Sequence, residues 1–162
     1  MAGDWIKRLA DEERARDATR AREAASAARK ADLVRVQGRR LIEELRATVT
    51  RDVAAFREAF AGDRARDIIN VQAESGFVVR KPEHSAVALT VSPNLEAATV
   101  GCHYRFTHTN GLPPREDRFE LVFAGDAEQT LQIKHPGTGQ LFATADALSE
   151  FLLVPVFTGR PR

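Results

Sequence analysis

From Asp4 to Ala61 the chain contains no proline and a single glycine, Gly38, while alanine, arginine, glutamate and leucine fill most other positions. These four are strong helix formers, so propensity and the lack of a breaker agree on one continuous helix. Asp4 suits an N-cap and Gly62 a C′ position, which brackets about 58 residues, or about 87 Å at 1.5 Å per residue. Ordinary helices run to about 11 residues, so an element of this length needs a partner or a special role. Gly38, at a cost of about 1 kcal/mol, is compatible with an unbroken helix, a bend or a close packing contact.

The two halves of this helix differ. Between Val34 and Phe60 the apolar residues Leu41, Leu45, Val49, Val53, Phe56 and Phe60 recur at steps of four and three and form one stripe, which predicts burial. Between Asp11 and Asp32 stand eight alanines and twelve charged residues, with no large apolar side chain. Support there comes from propensity and from pairs such as Glu12 with Arg16 and Asp17 with Arg20, each worth about 0.2 to 0.5 kcal/mol. The expected division is therefore a projecting arm over 1–33 and an α+β domain over 34–162. Alanines such as Ala18, Ala21, Ala25 and Ala28 permit close pairing with another helix, although a conventional coiled coil would carry larger residues along its seam.

Two clusters on the helix are candidates for partner binding. Trp5, Ile6 and Leu9 gather at the tip, either as a hook for a partner or as a helix start folded onto its own protein or onto a symmetry mate. One turn of apolar surface is too little for stable membrane attachment. Arg35 and Arg39, with Arg29, Lys30 and Arg40, can meet phosphate or an acidic partner. Because Arg39 and Arg40 precede Glu43 and Glu44 by four residues, a solvated, internally compensated face is the stronger reading.

After Gly62-Asp63 the period changes to two. Ile69, Val71 and Ala73 alternate with polar neighbours, as do Val87, Leu89 and Val91, then Cys102, Tyr104 and Phe106, then Phe119, Leu121 and Phe123, then Leu131 and Ile133. Such alternation describes antiparallel strands with one buried face. Turn residues at Ser75-Gly76, Pro82-Glu83, Pro93-Asn94, Asn110-Gly111, Gly125-Asp126 and Pro136-Gly137 separate the strands, and short connections favour a meander of about six strands over 67–143. A short helix over 145–154 follows, capped by Thr144, with Leu148, Phe151 and Leu152 on one face and Pro155 as its stop.

If the hairpin around Asn110-Gly111 pairs Phe106 with Phe119, Arg105 falls opposite Glu120. Pairing Phe123 with Leu131 then brings Lys134 to the other side of Glu120, with His103 one step along. That row is either an anion or polar-ligand site on an open sheet face or ordinary charge compensation, and exposed pairs of this kind favour compensation.

Other chemistry finds little support. His84, His103, His108 and His135 show no HExxH or Cys/His zinc spacing. Cys102 and His103 are strand neighbours pointing to opposite faces, so they form no nucleophile and base pair, and Cys102 belongs to the core set. No GxSxG, GxxxxGK[ST] or GxGxxG motif occurs. Most aromatics lie on the face assigned to the core, unlike a base-stacking surface. Formal net charge is +1, with 16 Lys/Arg against 12 Asp/Glu in residues 1–66 and 8 against 11 in 67–162. This balance is too close to neutral for a nucleic-acid reading by composition alone. No secretory h-region follows Met1, no apolar run is long enough to span a membrane, and a single cysteine suits a reducing compartment, so a cytoplasmic location is expected. No cofactor, metal or catalytic residue is expected. The residues point to a non-enzymatic interaction or assembly protein whose arm binds a protein partner or a second copy. The alternatives are a small-ligand domain with a cavity between sheet and long helix, or an enzyme without a recognisable motif.

Overall fold

The computed structural model describes residues 3–83, 85–125 and 130–162. His84 and Asp126, considered above, lie outside them. The chain is an α+β fold in which a long helix, a curled seven-stranded antiparallel sheet and a C-terminal helix pack together.

The long helix runs without a break as α1 (Asp4–Leu33), a π-helical stretch (Val34–Gly38) and α2 (Arg39–Ala59). Its buried line is Val34, Gly38, Ile42, Leu45, Val49 and Val53, with Leu41 and Phe56 packed beside it. This departs from the expected stripe, since Ile42 replaces Leu41 at the centre and Phe60 is 39% exposed. The π stretch explains part of the change. Residues four apart drift around an α-helix, and the wider π turn holds Val34, Gly38 and Ile42 over the same strip of sheet. Gly38 serves close packing: a Cβ there would lie 3.0 Å from Leu95 Cδ2 and 3.3 Å from Val34 Cγ1.

The strands are β1 (Ile69–Gln72), β2 (Phe77–Lys81), β3 (Ala86–Asn94), β4 (Thr99–Thr107), β5 (Arg115–Gly125), β6 (Leu131–Lys134) and β7 (Leu141–Phe142). They pair strictly in sequence order, each antiparallel to the next. Val79, Leu89, Tyr104, Leu121 and Ile133 represent the buried face, against which the helices lie. Each such side chain contributes about 1.5 to 3 kcal/mol on burial. Pro93 and Asn94 belong to β3 rather than to a turn, and the chain reverses over 95–98, where Asn94 Oδ1 accepts from the Ala97 N–H at 3.1 Å.

The β4/β5 register differs from the expected one by four residues. Cys102 stands opposite Phe119, Tyr104 opposite Asp117, Arg105 opposite Glu116 and Phe106 opposite Arg115. Pairing nearer the turn takes the backbone of 115–118 into the ladder, where its donors and acceptors find partners that a longer loop would leave to water. Because the shift is even, every side chain keeps its face. Between β5 and β6, Phe123 pairs with Ile133 rather than with Leu131, and Lys134 stands opposite Val122.

α3 (Ala145–Thr158) passes through Pro155 and ends at Gly159, whose φ is 69°. Thr144 caps its start, Oγ1 accepting from the Ala147 N–H at 3.1 Å. Proline was expected to stop this helix because it removes a backbone donor and crowds the carbonyl four residues earlier. That carbonyl, on Phe151, accepts instead from Arg162 Nη2 at 2.5 Å, and the next one, on Leu152, accepts from the Tyr104 hydroxyl at 2.5 Å. The helix therefore continues with the one acceptor that Pro155 frees satisfied. Ser149, fully buried on α3, donates to Asp52 Oδ2 of α2 at 2.7 Å and ties the two helices together.

Candidate functional site

Helix α1 contains 30 residues, and none is buried. It is held by propensity and by short-range pairs on its own surface: Asp11 with Arg14 at 2.9 Å, Glu13 with Arg16 at 2.8 Å and Asp17 with Arg20 at 3.8 Å. Arg16 thus chooses Glu13 over Glu12. Among the described ion pairs and hydrogen bonds, Glu12, Glu23 and Lys30 take no part. All these groups are solvent-exposed, so each pair that does form contributes little.

Trp5, Ile6 and Leu9 come together at the tip and are 55%, 54% and 45% exposed. Arg35 and Arg39 lie roughly 45 Å away along the axis, at the base of the arm. Both are exposed, and Arg35 pairs with Asp32 at 3.0 Å. Arg40 reaches Glu44 at 3.1 Å, whereas Glu43 lies 3.9 Å from Arg46 rather than with Arg39.

At the same base an open groove of about 560 Å³ lies between the helix and the end of β5, lined by Ser26, Lys30, Leu33, Val36, Gln37 and Gly125 among others. Val36 is 71% exposed there. Gln37 Oε1 accepts from the Leu131 N–H at 3.0 Å and fixes the floor of the groove to β6. Gly125 keeps the groove open, since Leu33 Cδ2 stands 3.2 Å from where its Cβ would be. Sequence reasoning assigned no role to Leu33 or Val36 and took Gly125 for a turn residue, whereas it is the last residue of β5. Val36 is the one residue of these that carried a local signal: it is a large apolar side chain off the buried stripe.

The polar sheet face does not bring Arg105, Glu120 and Lys134 into a row. Arg105 faces Glu116, Glu120 faces Gly101, and Lys134 faces Val122 and Leu141. His103 lies opposite Arg118, and its Nε2 is 3.4 Å from Glu116 Oε1 without hydrogen-bond geometry. Acidic and basic side chains alternate across this face, which balances charge and focuses no field of one sign.

Cys102 is buried, and burial pushes its thiol up to about 12, leaving it unionised near neutrality and therefore a poor nucleophile. Tyr104 is likewise raised, chiefly by burial. Its ring stacks on Phe106 and Phe119, and Phe119, Phe142 and His135 all meet Phe151, which also carries the Arg162 guanidinium 4.0 Å from its centroid. These aromatics close the end of the sheet against α3. The space between sheet and helices is filled by side chains such as Leu45, Val49, Leu89, Phe123 and Leu152, all at most 1% exposed. Among the described residues no helix is long and apolar enough to cross a membrane, and no group of three or more His, Cys, Asp or Glu is placed to hold a metal ion. No protein-family model matches the chain, and no curated protein or solved structure is similar to it.

Proposed function

We propose that this chain is a non-enzymatic interaction or assembly protein whose N-terminal helical arm mediates self-association or partner binding. One observation carries the reading: a 30-residue helix with no buried residue ends in exposed Trp5, Ile6 and Leu9. Apart from Leu33 at its base, which packs against the core, such a helix gains little from its own body, and a cluster of large apolar side chains in water is stabilised only by a surface that covers it. The body supplies a rigid mount, since α2 is buried in it and α1 continues α2 without a loop. Cys102, a buried free thiol, suits a reducing cytoplasm as the setting for this assembly.

A chain beginning at Ala31 tests the reading. Because no arm residue before it is buried, circular dichroism should report a folded body, with the helical signal reduced by the missing turns alone. The same chain should lose the self-association or partner capture that the full chain shows. Unchanged association by a folded, armless chain would refute the assignment.

A further inference from the structure

The arm carries a second pattern that its single-chain structure leaves unused. Counting in sevens from Trp5 gives Glu12 and, three repeats later, Leu33; counting in sevens from Leu9 gives Glu23 and Lys30. Together these positions alternate by three and four, the spacing of a seam between two helices that supercoil left-handedly. On a straight helix this seam drifts by about 20° per repeat, which is why the tip and the base groove do not face one way in one chain. Winding around a second helix brings them into line.

The seam ends in the groove. Its last four positions, Ser26, Lys30, Leu33 and Gln37, all line the groove beside Gly125. The seam is apolar at Trp5 and Leu9, polar through Glu12, Arg16, Thr19, Glu23, Ser26 and Lys30, and apolar again at Leu33. A partner complementary to it presents the same features in reverse order, and the segment that does so is the arm itself, run antiparallel.

We infer that two copies of this chain pair their arms antiparallel, each seating Trp5 and Leu9 in the other's groove. This rests on the arm being the interaction element and specifies its partner. In the register about Ala21, Leu9 packs on Leu33 of the second copy, and Trp5 lies over Gln37 and Val36. Glu12 meets Lys30 of the second copy, and the symmetry repeats each contact. Glu23 comes beside Arg20 and Arg22 of the other arm near the dyad. Glu12, Glu23 and Lys30, which form no described ion pair in the single chain, are engaged by the pairing. A two-fold arrangement of this kind closes on itself and yields a dimer rather than a filament. The groove, at about 560 Å³, has room for large side chains from the opposing tip.

The test uses full chains. Glu12 and Lys30 stand eighteen residues apart, about 27 Å along one helix, so they cannot contact each other within a chain. Glu12→Lys alone puts two pairs of like charges across the dimer, as does Lys30→Glu alone. Each should raise the dimer dissociation constant measured by analytical ultracentrifugation about tenfold, with an unchanged circular dichroism spectrum. Mixing the two variants should restore wild-type affinity through a heterodimer, and the double variant E12K/K30E should restore it as a homodimer. Single variants that dimerise like wild type, or a mixture no tighter than its components, would overturn the antiparallel register. In that case loss of dimer by the chain beginning at Ala31 would still leave the arm as the interaction element. A full chain that sediments as a monomer at every concentration would overturn pairing with a second copy altogether.

Discussion

Gly76→Ala is expected to destabilise the protein by about 3 kcal/mol or more, an unusual cost for adding one methyl group. An alanine Cβ at this position would stand 1.9 Å from the Val91 carbonyl oxygen, 3.0 Å from the Val91 carbonyl carbon and 3.1 Å from Pro93 Cδ. Neither side can retreat cheaply. Val91 is locked between Phe77 on β2 and Cys102 on β4, and the Gly76 carbonyl accepts from the Ala73 N–H at 2.9 Å. Arg46 of α2 also donates to the Ala73 carbonyl at 3.3 Å, so lifting the β1/β2 turn disturbs its seat on the helix. For a domain of this size a loss of 3 kcal/mol lowers the melting temperature by about 10 °C. A thermal melt within 2 °C of wild type would show that the turn relaxes freely.

Phe123→Ala should cost about 3 to 5 kcal/mol, read from urea unfolding with an unchanged slope. Phe123 is fully buried on β5 beside Ile133 of β6, and its Cζ lies 3.9 Å from where a Gly38 Cβ would be. With Leu95, it is thus one of the side chains on which the π stretch of the long helix rests. Truncation removes the burial of the ring and leaves a cavity that the close helix contact cannot collapse into without shifting Val34. Phe123→Leu, which retains most of the volume, should cost less than 1.5 kcal/mol. Equal losses from the two substitutions would contradict the packing described for this site.

The fold was legible where pattern and physics are local. The proline-free run predicts the helix, and alternation assigns Leu89, Tyr104 and Leu121 to the buried face. Register is different, because the alternation of 115–123 is satisfied equally by shifts of two or four residues, and only the ladder itself selects Arg105 with Glu116. Pro155 misleads for a related reason. The penalty for an interior proline is local, whereas its relief comes from Arg162, beyond the expected helix end. Gly76 reads as a turn residue, yet its constraint is the backbone of β3. The tip cluster was visible as Trp5, Ile6 and Leu9. The groove that faces the other end of the seam was not, because it needs Gly125 of β5 beside Leu33.

Trp5 is the only tryptophan in the chain, so its fluorescence reports the arm tip directly. It is 55% exposed in the single chain, and the proposed arm pairing would bury it. Emission recorded over a dilution series from micromolar to nanomolar chain should shift from blue to red as the arms separate, and a chain carrying Leu33→Asp should remain red-shifted throughout. An emission spectrum that keeps the same exposed-indole maximum at every concentration would contradict the account.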